Sequence, residues 1–274
     1  MLEEAVGRLH CDGYELLAYP AWCERSTRED IAKVVNDCGA LVYSVHTEKE
    51  VGDLISRNAA GDREEAVKIF QRNCELAEQI NANLLVLHLW GGMDSDREIE
   101  NNLSMYPKLL EISESYGCEL TVENIVCNRQ NPLLHLWELV ERFPSIKFTI
   151  DTRMTAFHEQ FPELYSATMN QTFVENQPQG QNQASVENQP PAQNWLPADS
   201  VRHVHFSDYG GGYMEWARKD ALELGDGHID FESFFRFLKQ INYRGAYVLE
   251  STCIEEGFNC ERLNRNLDFI ISHL

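Results

Sequence analysis

Seven short, mostly apolar runs recur along the chain: YELLAY (14–19), ALVYSVH (40–46), LLVLHLW (84–90), LTVENI (120–125), KFTID (147–151), VRHVHFSD (201–208) and AYVLES (246–251). They are rich in β-branched and aromatic residues, the pattern of buried parallel strands. Between them lie stretches with helical spacing. STREDIAKVV opens on Ser26 or Thr27 as N-cap, with Glu29 near the capping-box position. REEAVKIFQRNCELAEQI carries apolar residues at 66, 67, 69, 70, 76, 77 and 80, one stripe of a helix. NPLLHLWELVERF, FESFFRFLKQI and CERLNRNLDFIISHL continue the alternation. Strand–helix alternation predicts an α/β fold with a parallel sheet, and a length of 274 residues fits one TIM-type (β/α) barrel spanning 1–274. An eight-stranded barrel needs one strand more than the seven runs supply, and the first segment, LEEAVGRL, already has the look of a helix. The first strand is therefore expected to be lacking or modified.

The rhythm breaks at residues 166–199. There VENQPQGQNQAS, from 174, is followed by VENQPPAQNW, from 186, a tandem duplication dense in Gln, Asn and Pro. Such a composition cannot bury enough apolar surface to order itself, so a solvated low-complexity insertion in place of most of a crossover helix is expected.

Four of the runs end in a metal-type side chain at the same late position: Glu123, Asp151, His205 and Glu250. Ionised carboxylates following apolar runs are rarely buried unless paired or bound to a cation, and three of them converging would repel one another. Delivered by successive strands, they read as a site for one divalent ion, and three hard oxygens among four donors place Mn²⁺, Mg²⁺ or Co²⁺ ahead of Zn²⁺. Side chains two apart share a strand face, so His205 shares its face with His203, and Glu123 with Thr121. If that face is the barrel interior, His46 and His88 end in the same cavity, at the C-terminal strand ends where such barrels carry their sites. His46, His88, His203 and, through its apolar ring, Trp90 are the candidates for contacting a substrate. His203 has a second reading as a hydrogen-bonded core histidine. His135, His158 and His273 stand in helical or loop contexts and read as surface or capping groups, while Asp230 reads as a helix N-cap.

Charge narrows the partners. Forty-four acidic against 23 basic residues give −21, a surface that repels phosphate backbones, so nucleic acid is not expected. The eight cysteines form no CxxC pair and read as reduced, small buried hydrophobes. No run approaches the ~18 apolar residues of a membrane span, and MLEEAVGRLH lacks the features of a secretory signal, which together predict a soluble cytoplasmic protein with no membrane partner. A homo-oligomer is left open.

VEN around Glu123, IDT around Asp151, HVHFSD around His205, LGDGHIDF (224–231) and VLES around Glu250 resemble the xylose isomerase-like barrels, a group that includes sugar isomerases and epimerases, inosose dehydratases and apurinic endonucleases. The likeness covers nearly the whole chain outside 166–199. It implies Glu123, Asp151, His205 and Glu250 as ligands of one divalent ion, Glu123 and Glu250 also exchanging protons with carbon, and a sugar, sugar acid or related polyol as substrate. The chain departs from many epimerases of the group at Met154, where they carry a substrate-contacting His, and at Gly211, where they carry an Arg. Similarity to the endonucleases implies an alternative, a second ion on His46, His88 and Glu123. Met154, Lys219 and Ala221 stand where those enzymes hold a third. A catalytically silent ligand-binding barrel is the remaining alternative.

Overall fold

A computed structural model describes residues 2–22, 25–166, 197–251 and 258–274. Seven strands form one sheet: β1 (Tyr14–Leu17), β2 (Val42–His46), β3 (Leu84–Leu87), β4 (Glu119–Glu123), β5 (Lys147–Asp151), β6 (Val201–Phe206) and β7 (Ala246–Leu249). They lie in sequence order, and every neighbouring pair is parallel. Helices return the chain between strands, among them Asp62–Gln79, Tyr106–Ser115, Pro132–Arg142 and Phe231–Gln240, which gives a nearly closed TIM barrel. The duplicated segment, 174–195, lies outside the described residues. No described helix is long and apolar enough to cross a membrane.

Alternation along the strands separates two environments. Val45, Leu85, Leu87, Leu120, Val122, Phe148, Ile150, Val204 and Phe206 point outward and join Phe70, Leu76, Leu109, Leu139, Phe234 and Leu238 of the helices in one core. Each such side chain, fully buried, contributes roughly 1.5–3 kcal/mol. The intervening residues, Ser44, His46, Thr121, Glu123, Thr149, Asp151, His203 and His205, are equally buried but polar. Most of their polar atoms are paired with one another or with backbone, as in the 2.7 Å contact between the Thr121 and Thr149 hydroxyls and the 3.0 Å bond from Thr121 Oγ1 to the Leu85 carbonyl, while His203 Nδ1 has no partner among the described residues. The apolar outer layer stabilises the barrel, leaving the interior free to carry chemistry.

The missing strand shows as a seam. Among the described residues no strand pairs β7 with β1, and both are half-buried throughout, whereas β3 is buried at every position. LEEA is indeed a helix, Leu2–Ala5. The segment after it is tied to the C-terminal helix Cys260–Ile271: His10 N–H donates to Asn264 Oδ1 at 2.9 Å, Asn264 Nδ2 donates to the Arg8 carbonyl at 2.9 Å, and His10 Nδ1 meets Asp268 at 2.7 Å.

Candidate metal centre

Strand register sets the site. Asp151 pairs with His205 across β5 and β6, and Glu123 with Thr149 across β4 and β5. The Glu250 N–H donates to the Phe206 carbonyl at 2.9 Å, carrying Glu250 just past the end of β7 beside His205. Asp151 also begins a helix, Thr152–Phe157, and its Oδ1 caps it by accepting from Met154 N–H at 2.9 Å. The sequence-predicted donors Glu123, Asp151, His205 and Glu250 thus come together, with ligand atoms within 4.8 Å of one another. Donors bound to one ion at about 2.1–2.4 Å lie no farther apart than roughly twice that distance.

Each donor's partners define the electrostatics. Glu123 Oε1 meets His205 Nδ1 at 2.7 Å, and its Oε2 accepts from His88 Nε2 at 2.7 Å and His46 Nε2 at 3.1 Å. Burial opposes its charge, but His205 and His88, with the hydrogen bonds from His205 and His46, hold its carboxyl well below the usual range. Burial likewise opposes charge on His205, yet Glu15, Glu123 and Glu250 raise it well above an ordinary histidine. Burial pushes His88 down to about 4, so it is neutral at pH 7 and donates to Glu123 from Nε2. Asp151 is the uncompensated member: burial pushes it up to about 6, Arg153 opposes this, and Glu250 and Glu123 add to it. Glu250, with a side chain 30% exposed, is the most accessible of the four donors.

Arg153 is a functional candidate that the sequence reading missed. Its guanidinium Nη2 lies 3.4 Å from Glu250 Oε2 and 3.6 Å from Asp151 Oδ2, while Nε donates to Ser207 Oγ at 3.3 Å and Nη1 to the Lys219 carbonyl at 2.9 Å. A cation two residues past a strand-end Asp was the available signal. Met154 is buried beside it, and Gly211 sits so tightly on Tyr209 that a Cβ would stand 2.4 Å from the phenol oxygen. Asp208 organises the LGDGHIDF loop by accepting from Gly225 and Gly227 N–H at 2.9 and 3.0 Å and from Ile229 N–H at 3.1 Å. A Cβ on Gly227 would lie 2.4 Å from Asp208 Oδ1, so the loop needs glycine there. Asp230 caps the following helix through Ser233 N–H at 3.0 Å, as its position predicts.

The remaining candidates fall in different places. His46 and His88 stand edge to face, ring centroids 4.7 Å apart, on Glu123. His203 lies one layer below His205, its Nε2 3.2 Å from Glu15 Oε2. Trp90 is fully buried in the core, 5.5 Å from the His135 ring. The surface reading of His135 and His158 fails: both are buried. His135 Nε2 meets Asp96 Oδ2 at 3.1 Å and its Nδ1 meets Glu138 at 3.0 Å. Burial drives His158 down to about 4, and its Nε2 accepts from Cys127 N–H at 3.3 Å. Loop closure, which local context does not report, buries them. Asp96, Cys127 and His135 form a second compact group of metal-type side chains.

The donor set fits a divalent ion: three carboxylate oxygens and one imidazole converge, three of the four residues buried, and Asp151 stays raised to about 6 despite Arg153.

A family described as the xylose isomerase-like TIM barrel matches residues 8–272. No curated protein sequence matches the chain. Among solved structures, a D-tagatose 3-epimerase-like protein superposes with a TM-score of 0.70 at 20% identity, over 98% of this chain and 91% of the other. D-allulose 3-epimerase from Methylomonas sp., in complex with D-allulose, gives 0.66 at 15% identity, over 99% and 90%. The IOLI protein with a bound zinc atom gives 0.64 at 14% identity, over 94% and 86%. At these identities the structural likenesses speak for the fold.

Proposed function

The chain belongs to the xylose isomerase-like TIM barrel family, and from that premise we propose that it is a divalent-metal-dependent isomerase or epimerase of a sugar, sugar acid or related polyol, moving a proton at carbon next to a carbonyl. The observation that carries this reading is the convergence of Glu123, Asp151, His205 and Glu250 at the C-terminal mouth of the barrel, with Arg153 as the cation beside them. Similarity to epimerases, one of them holding D-allulose, supports the substrate class.

Asp151, His205, Glu123 and Glu250 would hold one ion, Mn²⁺, Mg²⁺ or Co²⁺ ahead of Zn²⁺. When bound, such an ion supplies a Lewis acid for a carbonyl oxygen. Glu250 is the accessible base, able to take a proton from carbon and return it. Glu123, on a strand across the site, addresses the opposite face, and the donors on His46 and His88 keep it ionised. Two bases on two faces permit epimerisation as well as isomerisation. His46, His88 and His203 line the interior from which a polyol would be bound. Arg153 is fixed by Ser207 and the Lys219 carbonyl, and holds a positive charge 3.4 Å from Glu250. We place the protein in the cytoplasm, as one barrel domain acting on a small molecule.

The His46, His88 and Glu123 group favours one second reading, a phosphodiesterase with two ions. The −21 charge stands against a nucleic-acid substrate. The test is incubation of the metal-loaded protein in D₂O with a panel of ketoses, aldoses, sugar acids and inososes. Deuterium should enter carbon at C2 or C3 for at least one of them, and Glu250→Gln should abolish the exchange. No exchange from a chain holding one ion would point to a binding barrel, and scission of abasic DNA to the nuclease.

A further inference from the structure

Glu15 lies within YELLAY on β1, two residues below the strand end, and is the interior carboxylate that the metal-ligand pattern leaves out. It nevertheless touches the site. Its Oε1 is 2.8 Å from His205 Nε2, and its Oε2 accepts from Ser44 Oγ at 2.6 Å and lies 3.2 Å from His203 Nε2. Ser44 Oγ is in turn 3.3 Å from His203 Nε2, which closes a buried triangle around the carboxylate. Glu15 and His205 are 190 residues apart, and in the strand order β1 and β6 stand on opposite sides of the seam, with β7 beside β6.

The two nitrogens of His205 have different neighbours. Nδ1 faces the donor cluster, 2.7 Å from Glu123 Oε1 and 3.3 Å from Glu250 Oε1. Among the described residues, Nε2 faces Glu15 alone of the carboxylates. An imidazole that binds an ion through Nδ1 needs its lone pair there, which puts the hydrogen on Nε2, and a carboxylate accepting that hydrogen fixes both tautomer and ring plane. Resting on the one-ion reading above, we infer that Glu15 is the positioning residue of the metal centre: it holds His205 as an Nδ1 ligand, while Ser44 and His203 hold Glu15. The carboxylate also links β1 to β6 across the side of the barrel where a strand is missing, so the seam and the ion site share one buried contact.

The experiment strips the full-length chain with chelator and titrates it with Co²⁺, comparing wild type with Glu15→Gln by competition affinity, ions per chain and visible absorption. Glu15→Gln should still take one ion but about 10–100-fold more weakly, with shifted absorption bands, because the amide cannot accept from both histidines. Equal affinity and identical bands would overturn the inference and leave the one-ion reading standing. Two ions in wild type and one in Glu15→Gln would make Glu15 a ligand and overturn it. A wild-type chain that binds no Co²⁺ would overturn both. Should Glu15→Gln fail to fold, Ser44→Ala decides: losing one hydrogen bond to Glu15 should weaken Co²⁺ binding about 3–10-fold, and unchanged affinity and bands would overturn the inference.

Discussion

Two buried groups of metal-type side chains sit near the mouth of this barrel, and they are built on opposite principles. In one, Asp96 Oδ1 accepts from the N–H groups of Asn128 at 2.7 Å and Arg129 at 2.9 Å, and Oδ2 from Gln130 N–H at 2.8 Å and His135 at 3.1 Å. Burial pushes its carboxyl up, but His135 and the three backbone donors bring it below the ordinary range. In the other, Asp151 spends one oxygen on a helix cap and faces Glu250 and Glu123 with the rest of its charge, and it rises to about 6. In both groups the ligand atoms lie within 4.8 Å of one another. The charge left after local pairing distinguishes them: Asp96 is a latch that pins the loop after β4 to the loop after β3, while Asp151, with Arg153 at 3.6 Å and Glu250 and Glu123 beside it, still rises to about 6, and a divalent ion would balance that charge.

The largest effect should come from breaking the latch. Asp96→Ala leaves His135 and three backbone N–H groups buried without their acceptor, and urea unfolding should show a loss of about 3–5 kcal/mol. Metal stoichiometry should not change. A cost below about 1 kcal/mol, or loss of the ion, would remove the distinction between the two groups.

Next comes the cation itself. Mn²⁺ at about 100 times its dissociation constant should stabilise the chain by roughly 2.7 kcal/mol in thermal unfolding, in wild type and Asp96→Ala alike. Glu123→Gln should show little of this gain. A gain that survives Glu123→Gln and vanishes in His135→Ala would move the site to the other group.

Proton linkage gives the two aspartates opposite signs. Asp151 has a folded value above its unfolded one, so without metal its charge costs stability at pH 7, and the cost is relieved as pH falls through about 6. Relative to Asp151→Asn, the metal-free wild type should gain about 1 kcal/mol between pH 7 and pH 5, and the Mn²⁺-dependent gain should shrink over the same window as protons compete. Asp96, with a depressed value, contributes stability above the ordinary aspartate value that is lost only as pH falls below it. A flat difference between wild type and Asp151→Asn from pH 7 to 5 would contradict the uncompensated charge.

The smallest effect should follow Glu138→Gln. Glu138 touches His135 from a side chain 32% exposed, so its loss should cost under about 1 kcal/mol. A larger cost would mean that His135 depends on Glu138 as much as on Asp96.

Much of this was legible in the sequence. All seven strands stand where the apolar runs lie, and parity along them placed His205 with His203, and Glu123 with Thr121, because a strand's period of two carries over directly into the barrel. The Asp96 latch was not legible, because its partners come from two loops brought together only by the fold, and GGMDSDRE has no periodicity to read. Glu15 falls outside the pattern of strand-end donors because it lies two residues below the end of β1. Its signal, a lone carboxylate inside an apolar run, was present. The open first position could be counted, but the contact from β1 to β6 that spans it depends on two side chains 190 residues apart.

The most direct test of the central claim is native mass spectrometry of the chelator-stripped chain titrated with Mn²⁺. One ion per chain should appear in wild type and in Asp96→Ala, and none in the double variant Glu123→Gln, Asp151→Asn, with folding checked by circular dichroism. An ion retained by the folded double variant, or no ion in wild type, would contradict the account.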